Sequence, residues 1–477
     1  MKRWEDEDAR DPFPYGADPD WRTGPAEPAP FLEHARAAPP GPALLDAPTT
    51  VPFADAFADA GPLAGTAPAP LLDLGDASWH TIVDAGPSEN RVDVWFVGDG
   101  YAAGQLDLLL ADAAAQWDWM TTEASAQPFG AYADLFNVHV LFVPSAEEGA
   151  DRPDDGVFVD TAFDASFSWG GGPEHFLYFD AYAAERAIRA VAPGTDIDMR
   201  FGAVNAERYG GGGGAYAVYA AGADDARGLA LHELGHAFAG LADEYWTPGA
   251  GAYEGPGPDA PNATTDPDDA PWAHWLGFDD GVLGPIGAYE GGVYAETGVF
   301  RPTENSLMRS IGRPFDAVAR ERFVLDFYAS VDPLDAWSFE GEAALTDVYD
   351  PFWIDTVSDA LIGQEWFVDG KSVGTGTELD FAGLGFGPGT YEVSVTAADD
   401  SPFVRQGREQ LSQTVTWSLT LNYRQLGGTD LADDLAGTAD ADRMLGLDGD
   451  DVLSGRGGGD WLIGGAGDDV LYGDGVG

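Results

Sequence analysis

From Gly428 the chain repeats every nine residues, and that period leaves it few folds. Rows begin at Gly428, Gly437, Gly446, Gly455 and Gly464, with a stub at Gly473. Position six is Asp433, Asp442, Asp451, Asp460 and Asp469 in turn, and position eight is Leu435, Met444, Leu453, Leu462 and Leu471. The row GGAGDDVLY, starting at Gly464, meets every fixed position of the nonapeptide G-G-x-G-x-D-x-U-x. Glycines permit tight turns whose carbonyls point inward, and the position-eight side chains can stack into a narrow core between parallel strands. A parallel β-roll is therefore expected over residues 426–477. Aspartates are hard oxygen ligands suited to Ca2+, so the position-six residues are the candidate calcium ligands. The first two rows are poor in glycine, which places Asp433 and Asp442 behind the other three.

The 477 residues suffice for two to four domains. Residues 1–75 are rich in Pro, Ala and Asp and read as a leader or linker that buries too little apolar surface to order itself. Residues 76–330 alternate strands (RVDVWFVGDGY, FNVHVLFVP, DMRFGAVN) with helices (QLDLLLADAAAQWDWM, DAYAAERAIRAVAP), and a loop-rich stretch runs to about residue 330. This pattern predicts an α/β (α+β) layered domain. Residues 331–425 read as a small antiparallel β-sandwich, with alternation in TYEVSVTA and TVTWSLTLN and an Asp-Gly hairpin signal in WFVDGKSV.

A formal charge of −59 repels phosphate backbones and anionic lipid surfaces, so nucleic acid is excluded as a partner. No run of eighteen apolar residues is present, so no membrane insertion is expected. The first residues, MKRWEDEDARDPFPYGADPDW, contain no apolar core of a cleaved signal peptide. With no cysteine in the chain, disulfides, thiolate metal sites and cysteine nucleophiles are ruled out.

Against that background LALHELGHAFAGLADEY stands out. Asp224 or Asp225 can cap a helix on which His232 and His236, four apart, share a face and can reach one Zn2+. Glu233 projects beside such an ion and can act as a general base toward water. A third ligand must come from a chain that turns back, with Gly240 the natural helix end. Asp243 is favoured for that role and Glu244 is the alternative; Glu290 and His274 are more remote. Tyr245, Tyr289 and Tyr294 are candidate oxyanion donors, among which the sequence does not choose. The strand RYGGGGGAYAV could pair with an extended peptide, since glycines let another backbone approach.

HELGHAFAGLADEY resembles the zinc-binding signature of the IgA-peptidase family of metallopeptidases (metallopeptidase family sixty-four). SWHTIVDAGPSENRVDVWFVGDGY, FNVHVLFVPSAEEGADRP, RYGGGGGAYAV and YEGGVYAETGVFRPTENSLMRS are similar to further stretches of that family, in the same order. The resemblance covers residues 76–330 and implies a metzincin-like zinc endopeptidase acting on proteins or peptides. It implies His232 and His236 as ligands, Glu233 as general base, Asp243 as third ligand and Met308 as the methionine-turn residue beneath the metal. The chain departs from the family at Ala239, where glycine is frequent, and in lacking cysteines near Met308. The nonapeptide rows resemble the RTX (haemolysin-type) calcium-binding repeats. That resemblance implies secretion without a cleaved signal, by type I export machinery, and a tail that folds at extracellular calcium.

The sequence thus reads as a secreted zinc-dependent endopeptidase with a calcium-binding tail. The alternative is a calcium-dependent binding or adhesion protein with an inactive peptidase-like domain.

Overall fold

The computed structural model describes residues 75–168, 171–339, 352–381, 384 and 386–474. The leader expected over residues 1–75 lies, except for its last residue, outside them. The chain divides into two compact bodies that part between Val331 and Asp332, with Pro402–Gly407 belonging to the first.

The first body is built on a six-stranded sheet of β1 (Ser78–Val83), β2 (Val92–Asp99), β3 (Phe136–Phe142), β6 (Met199–Val204), β7 (Gly211–Gly212) and β8 (Ala217–Ala220), in the order β1-β3-β2-β6-β8-β7. A separate two-stranded pair is formed by β4 (Ser166–Phe167) and β5 (Leu177–Tyr178). β2 runs parallel to β3 and β6, and β6 parallel to β8, while the edge strands β1 and β7 are antiparallel to their neighbours. Every residue of β2 and β3 is buried, as expected of central parallel strands covered on both faces. Helix α1 (Leu106–Thr122) connects β2 to β3 and buries Leu109, Ala113, Gln116, Trp117 and Met120. Leu109 presses so closely on β2 that a Cβ at Gly98 would lie 2.4 Å from its Cδ2. Helix α2 (Ala181–Val191) starts at Asp180, whose carboxylate accepts the Ala183 N–H.

Helix α3 (Ala226–Ala237) follows β8 and carries the HELGH segment. It packs on β8, and a Cβ on Gly211 of β7 would meet Leu229 at 3.0 Å. Asp225 occupies the cap position, but its side chain accepts no helix N–H. The helix ends at Ala237 with Phe238 closing it, earlier than Gly240, which takes the left-handed conformation (φ +61°) inside the following turn.

The expected loop-rich stretch to residue 330 holds more structure than its sequence suggests. It contains the hairpin β9 (Tyr289–Gly292)–β10 (Ala295–Arg301) and helix α4 (Ala317–Phe327). α4 is buried nearly all round, charged residues included: Arg320 pairs with Asp280 at 2.6 Å, and Glu321 accepts from Trp275 Nε1 at 2.6 Å. Such a helix has no polar stripe to announce it.

In the second body β11 (Leu334–Trp337), β12 (Phe352–Thr356) and β15 (Glu378–Leu379) form one antiparallel sheet. A second comprises β13 (Ile362–Val368), β14 (Lys371–Thr375), β16 (Gly389–Asp399) and β17 (Ser412–Leu421). Asp369 and Gly370 both adopt positive φ at the β13–β14 turn, as a two-residue hairpin loop requires. The two sheets share the ring cluster of Phe352, Trp366 and Trp417.

The nonapeptide rows form two parallel three-stranded sheets: β18 (Arg424–Gly427), β20 (Asp442–Asp448) and β22 (Trp461–Ala466), and β19 (Asp434–Ala436), β21 (Val452–Arg456) and β23 (Val470–Asp474). Partners such as Asp434↔Val452↔Val470 stand two rows apart in sequence. Met444 and Leu453, at position eight of the middle rows, are fully buried.

One buried carboxylate organises the end of β2. Asp99 accepts from the N–H groups of Gly100 (2.9 Å), Phe163 (3.0 Å) and Ala165 (2.9 Å) and from Thr161 Oγ1 (3.0 Å). Burial pushes its pKa up to about 6 although all four donors pull it down. Asp99→Ala would strand these donors away from water. It should cost about 3 kcal/mol or more in urea unfolding, and Asp99→Asn clearly less.

Candidate metal centre

On α3 the four-residue spacing puts the rings of His232 and His236 edge to face, 4.8 Å between centroids. The remaining ring nitrogens are tied to main-chain carbonyls: His232 Nδ1 donates to Leu307 O (3.1 Å) and His236 Nδ1 to Leu241 O (2.7 Å). A carbonyl only accepts, so each neutral ring carries its proton on Nδ1 and leaves a lone pair on Nε2. The two Nε2 atoms lie 3.2 Å apart.

After Phe238 the turn through Gly240 reverses the chain, with Leu241 N–H bonding to Gly235 O at 2.9 Å. Asp243 then places Oδ1 3.2 Å from each Nε2. Three acceptor atoms thus form a triangle of 3.2 Å edges, and buried Asp243 Oδ1 has no hydrogen-bond partner. Ligands bound at about 2.0–2.1 Å to a tetrahedral zinc stand about 3.3–3.4 Å apart. The cluster fits that ion, and among the described residues it is the group of three able to hold a metal.

The surrounding electrostatics favour a cation here. Burial disfavours charge on His236 and Asp243, yet Asp243 lifts His236 to about pKa 9, so that without an ion a proton takes the place a cation would fill, and the imidazoles hold the Asp243 carboxyl below its usual range. Glu233, on the same helix, is buried, which raises its pKa against the pull of both histidines. The glycine segment passes against it: a Cβ at Gly213 would lie 3.0 Å from Glu233 Oε2 and from His236 Cβ. Met308 is fully buried against the turn between the histidines, where a Cβ at Gly235 would meet its sulfur at 2.6 Å.

The other candidates divide plainly. Glu244 faces away, accepting from Ser306 Oγ (2.7 Å) and Asn262 Nδ2 (3.0 Å), and burial with the nearby Asp316 charge pushes it up to about pKa 8. His274 bonds Glu321 at 2.5 Å, and Glu290 accepts the Gly298 N–H at 3.1 Å. Tyr289 does not reach the centre, because its hydroxyl donates to Pro285 O at 2.8 Å. Tyr245 and Tyr294 do reach it, their rings 5.2 Å apart and the Tyr294 hydroxyl donating to Asp243 Oδ2. Tyr209 escaped the sequence reading; its hydroxyl is buried and feels the charge of Glu233. Its place just before the glycine run was the available signal.

In the repeat, Asp433, Asp442 and Asp451 each donate their N–H to the carboxylate two rows on, in Asp451, Asp460 and Asp469, at 2.8–3.0 Å. Asp451 Oδ2 is buried without a hydrogen bond, and both it and Gly464 O lie 2.2 Å from where Gly446 would carry a Cβ. In the first two rows Thr429 and Thr438 donate to Asp433 and Asp442. No helix among the described residues is long and apolar enough to cross a membrane.

Compared with known families, residues 81–285 match the family described as IgA Peptidase M64. The matched span includes His232, Glu233, His236 and Asp243 and indicates a metallopeptidase; it stops short of Met308 and of the repeat. No curated protein matches the chain.

If the triangle binds zinc, Asp243→Ala should leave the purified, dialysed protein largely metal-free by atomic emission. Glu244→Gln should retain about one equivalent, since its carboxylate is turned toward Asn262 and Ser306.

Proposed function

We propose that this chain is a secreted, metzincin-like zinc endopeptidase. The observation that carries the reading is the meeting of two imidazole lone pairs and an unpartnered carboxylate oxygen beside a buried glutamate. His232, His236 and Asp243 would hold the ion, with Met308 as the methionine-turn residue beneath it. When bound, zinc would supply Lewis acidity toward a peptide carbonyl and acidify a water molecule. Glu233 accepts the proton of the attacking water and passes it to the leaving amine nitrogen as the C–N bond breaks. Of the three tyrosines, Tyr289 is turned to Pro285 and the Tyr294 hydroxyl donates to Asp243; Tyr245 also bonds within this cluster, so oxyanion donation from it would exchange that bond for the substrate.

A substrate backbone would lie along the glycine edge. β7 is the sheet's outer strand, but Gly211 N–H already bonds His175 O at 3.1 Å. Pairing therefore belongs to Gly213 and Gly214. Gly213 borders Glu233, and a side chain at Gly214 would meet nothing within 4 Å.

For the tail we propose RTX-type calcium binding in a parallel β-roll, with Asp451, Asp460 and Asp469 ahead of Asp433 and Asp442. Its support is the convergence of carboxylate and carbonyl oxygens on the position-one glycines. Type I export accords with such a tail.

Two outcomes test the proposal. Glu233→Gln should keep its zinc while cleavage of a denatured protein substrate falls about 10²–10⁴-fold; loss of zinc, or unchanged cleavage, would sink the assignment. Removing calcium with a selective chelator should lower the β-sheet circular dichroism of the native chain, and Asp451→Asn with Asp460→Asn should weaken its recovery on re-addition. A spectrum indifferent to calcium would refute the tail reading.

A further inference from the structure

The hairpin β9–β10 turns on Val293 and Tyr294, at φ +46° and +64°. Two successive left-handed residues suit Asn-Gly or Gly-Gly, and a β-branched residue there is an outlier. Glycines stand immediately before the turn, at 291 and 292, yet not in it. Such conformations persist where the surroundings over-determine them. Here the tip is fastened to the ligand-bearing segment by three main-chain hydrogen bonds: Val293 N–H to Asp243 O (2.8 Å), Tyr294 N–H to Tyr245 O (3.0 Å) and Thr247 N–H to Tyr294 O (3.1 Å). The consequence is the placing of one phenol. Tyr294 donates to Asp243 Oδ2, while Oδ1 of the same carboxylate faces the imidazoles.

We infer that Tyr294 is a positioning residue, held by a strained hairpin tip so that Asp243 offers the metal a single oxygen. A phenol has one hydrogen to give. Spent on Asp243, it is not available to a developing oxyanion, so the Tyr294 hydroxyl acts through the ligand rather than on the substrate. This inference rests on the zinc-peptidase reading of the centre, and outer partners of metal ligands commonly govern metal affinity.

The test compares the wild-type chain with Tyr294→Phe and, as a control on the same hairpin, Tyr289→Phe, whose hydroxyl reaches only Pro285 O. Zinc affinity is measured by competition with a chromogenic chelator, and the thermal midpoint of the metal-free protein is recorded in parallel. Tyr294→Phe should bind zinc about 10–100-fold more weakly at an unchanged midpoint, and Tyr289→Phe should match wild type. Cobalt(II) substitution adds a reading independent of turnover and of stability: a carboxylate freed to bind through both oxygens raises the coordination number and weakens the visible d–d bands. Wild-type affinity and spectrum in Tyr294→Phe would overturn the inference, also where kcat alone falls, since that pattern marks an oxyanion donor. Absence of zinc from the wild-type chain would instead overturn the peptidase reading itself.

Discussion

Three electron-pair donors meet at 3.2 Å in a buried pocket, and two of them have their other ring nitrogen fastened so that they can only accept. That arrangement is repulsive unless a proton or a metal ion sits among the three. Helix pitch sets the spacing of the imidazoles. The carbonyls of Leu241 and Leu307 fix their rotation, and contact between Gly235 and Met308 seats the helix turn from below. The reversal at Gly240 then brings Asp243 against both rings.

Sequence revealed those parts of the site that depend on local periodicity. An i, i+4 histidine pair on a helix and an aspartate every ninth residue carry their geometry with them. Asp243 and Glu244 are harder to tell apart from sequence, since both lie in the same short stretch after the helix. Asp243 faces the rings while Glu244 is turned toward Asn262 and Ser306. What depends on distant partners was illegible. DAVARERFVLDF offers a capping Asp316 but no amphipathic stripe, because Arg320 and Glu321 are buried against Asp280, His274 and Trp275, far along the chain. Three tyrosines near the signature looked equivalent as oxyanion donors. A non-glycine turn, invisible to turn rules, sets Tyr294 on Asp243, while Tyr289 on the same hairpin bonds Pro285.

The same logic extends to the acidic balance of the chain. A net charge of −59 favours solubility but opposes compact states through self-repulsion. The repeat concentrates that repulsion by stacking aspartates two rows apart in register, each N–H of one row bonded to a carboxylate of another. Bonds of this kind satisfy one oxygen each of Asp451, Asp460 and Asp469. At Asp451 the second oxygen is left buried near a main-chain carbonyl. At such an oxygen a hard cation would lower the cost.

Both bodies therefore prepare acceptors that protein donors leave unsatisfied, but they tolerate cation loss differently. Around the histidine pair, a sheet, helices and a buried aromatic core hold the three side chains in place. The rows have only a file of position-eight side chains, of which Met444 and Leu453 are fully buried while Leu471 is half exposed. So thin a core supplies little burial energy, which is the condition under which a bound cation would contribute most to folding. Where the apolar surface lies therefore gives one body a well-packed centre and the other a thinly packed tail.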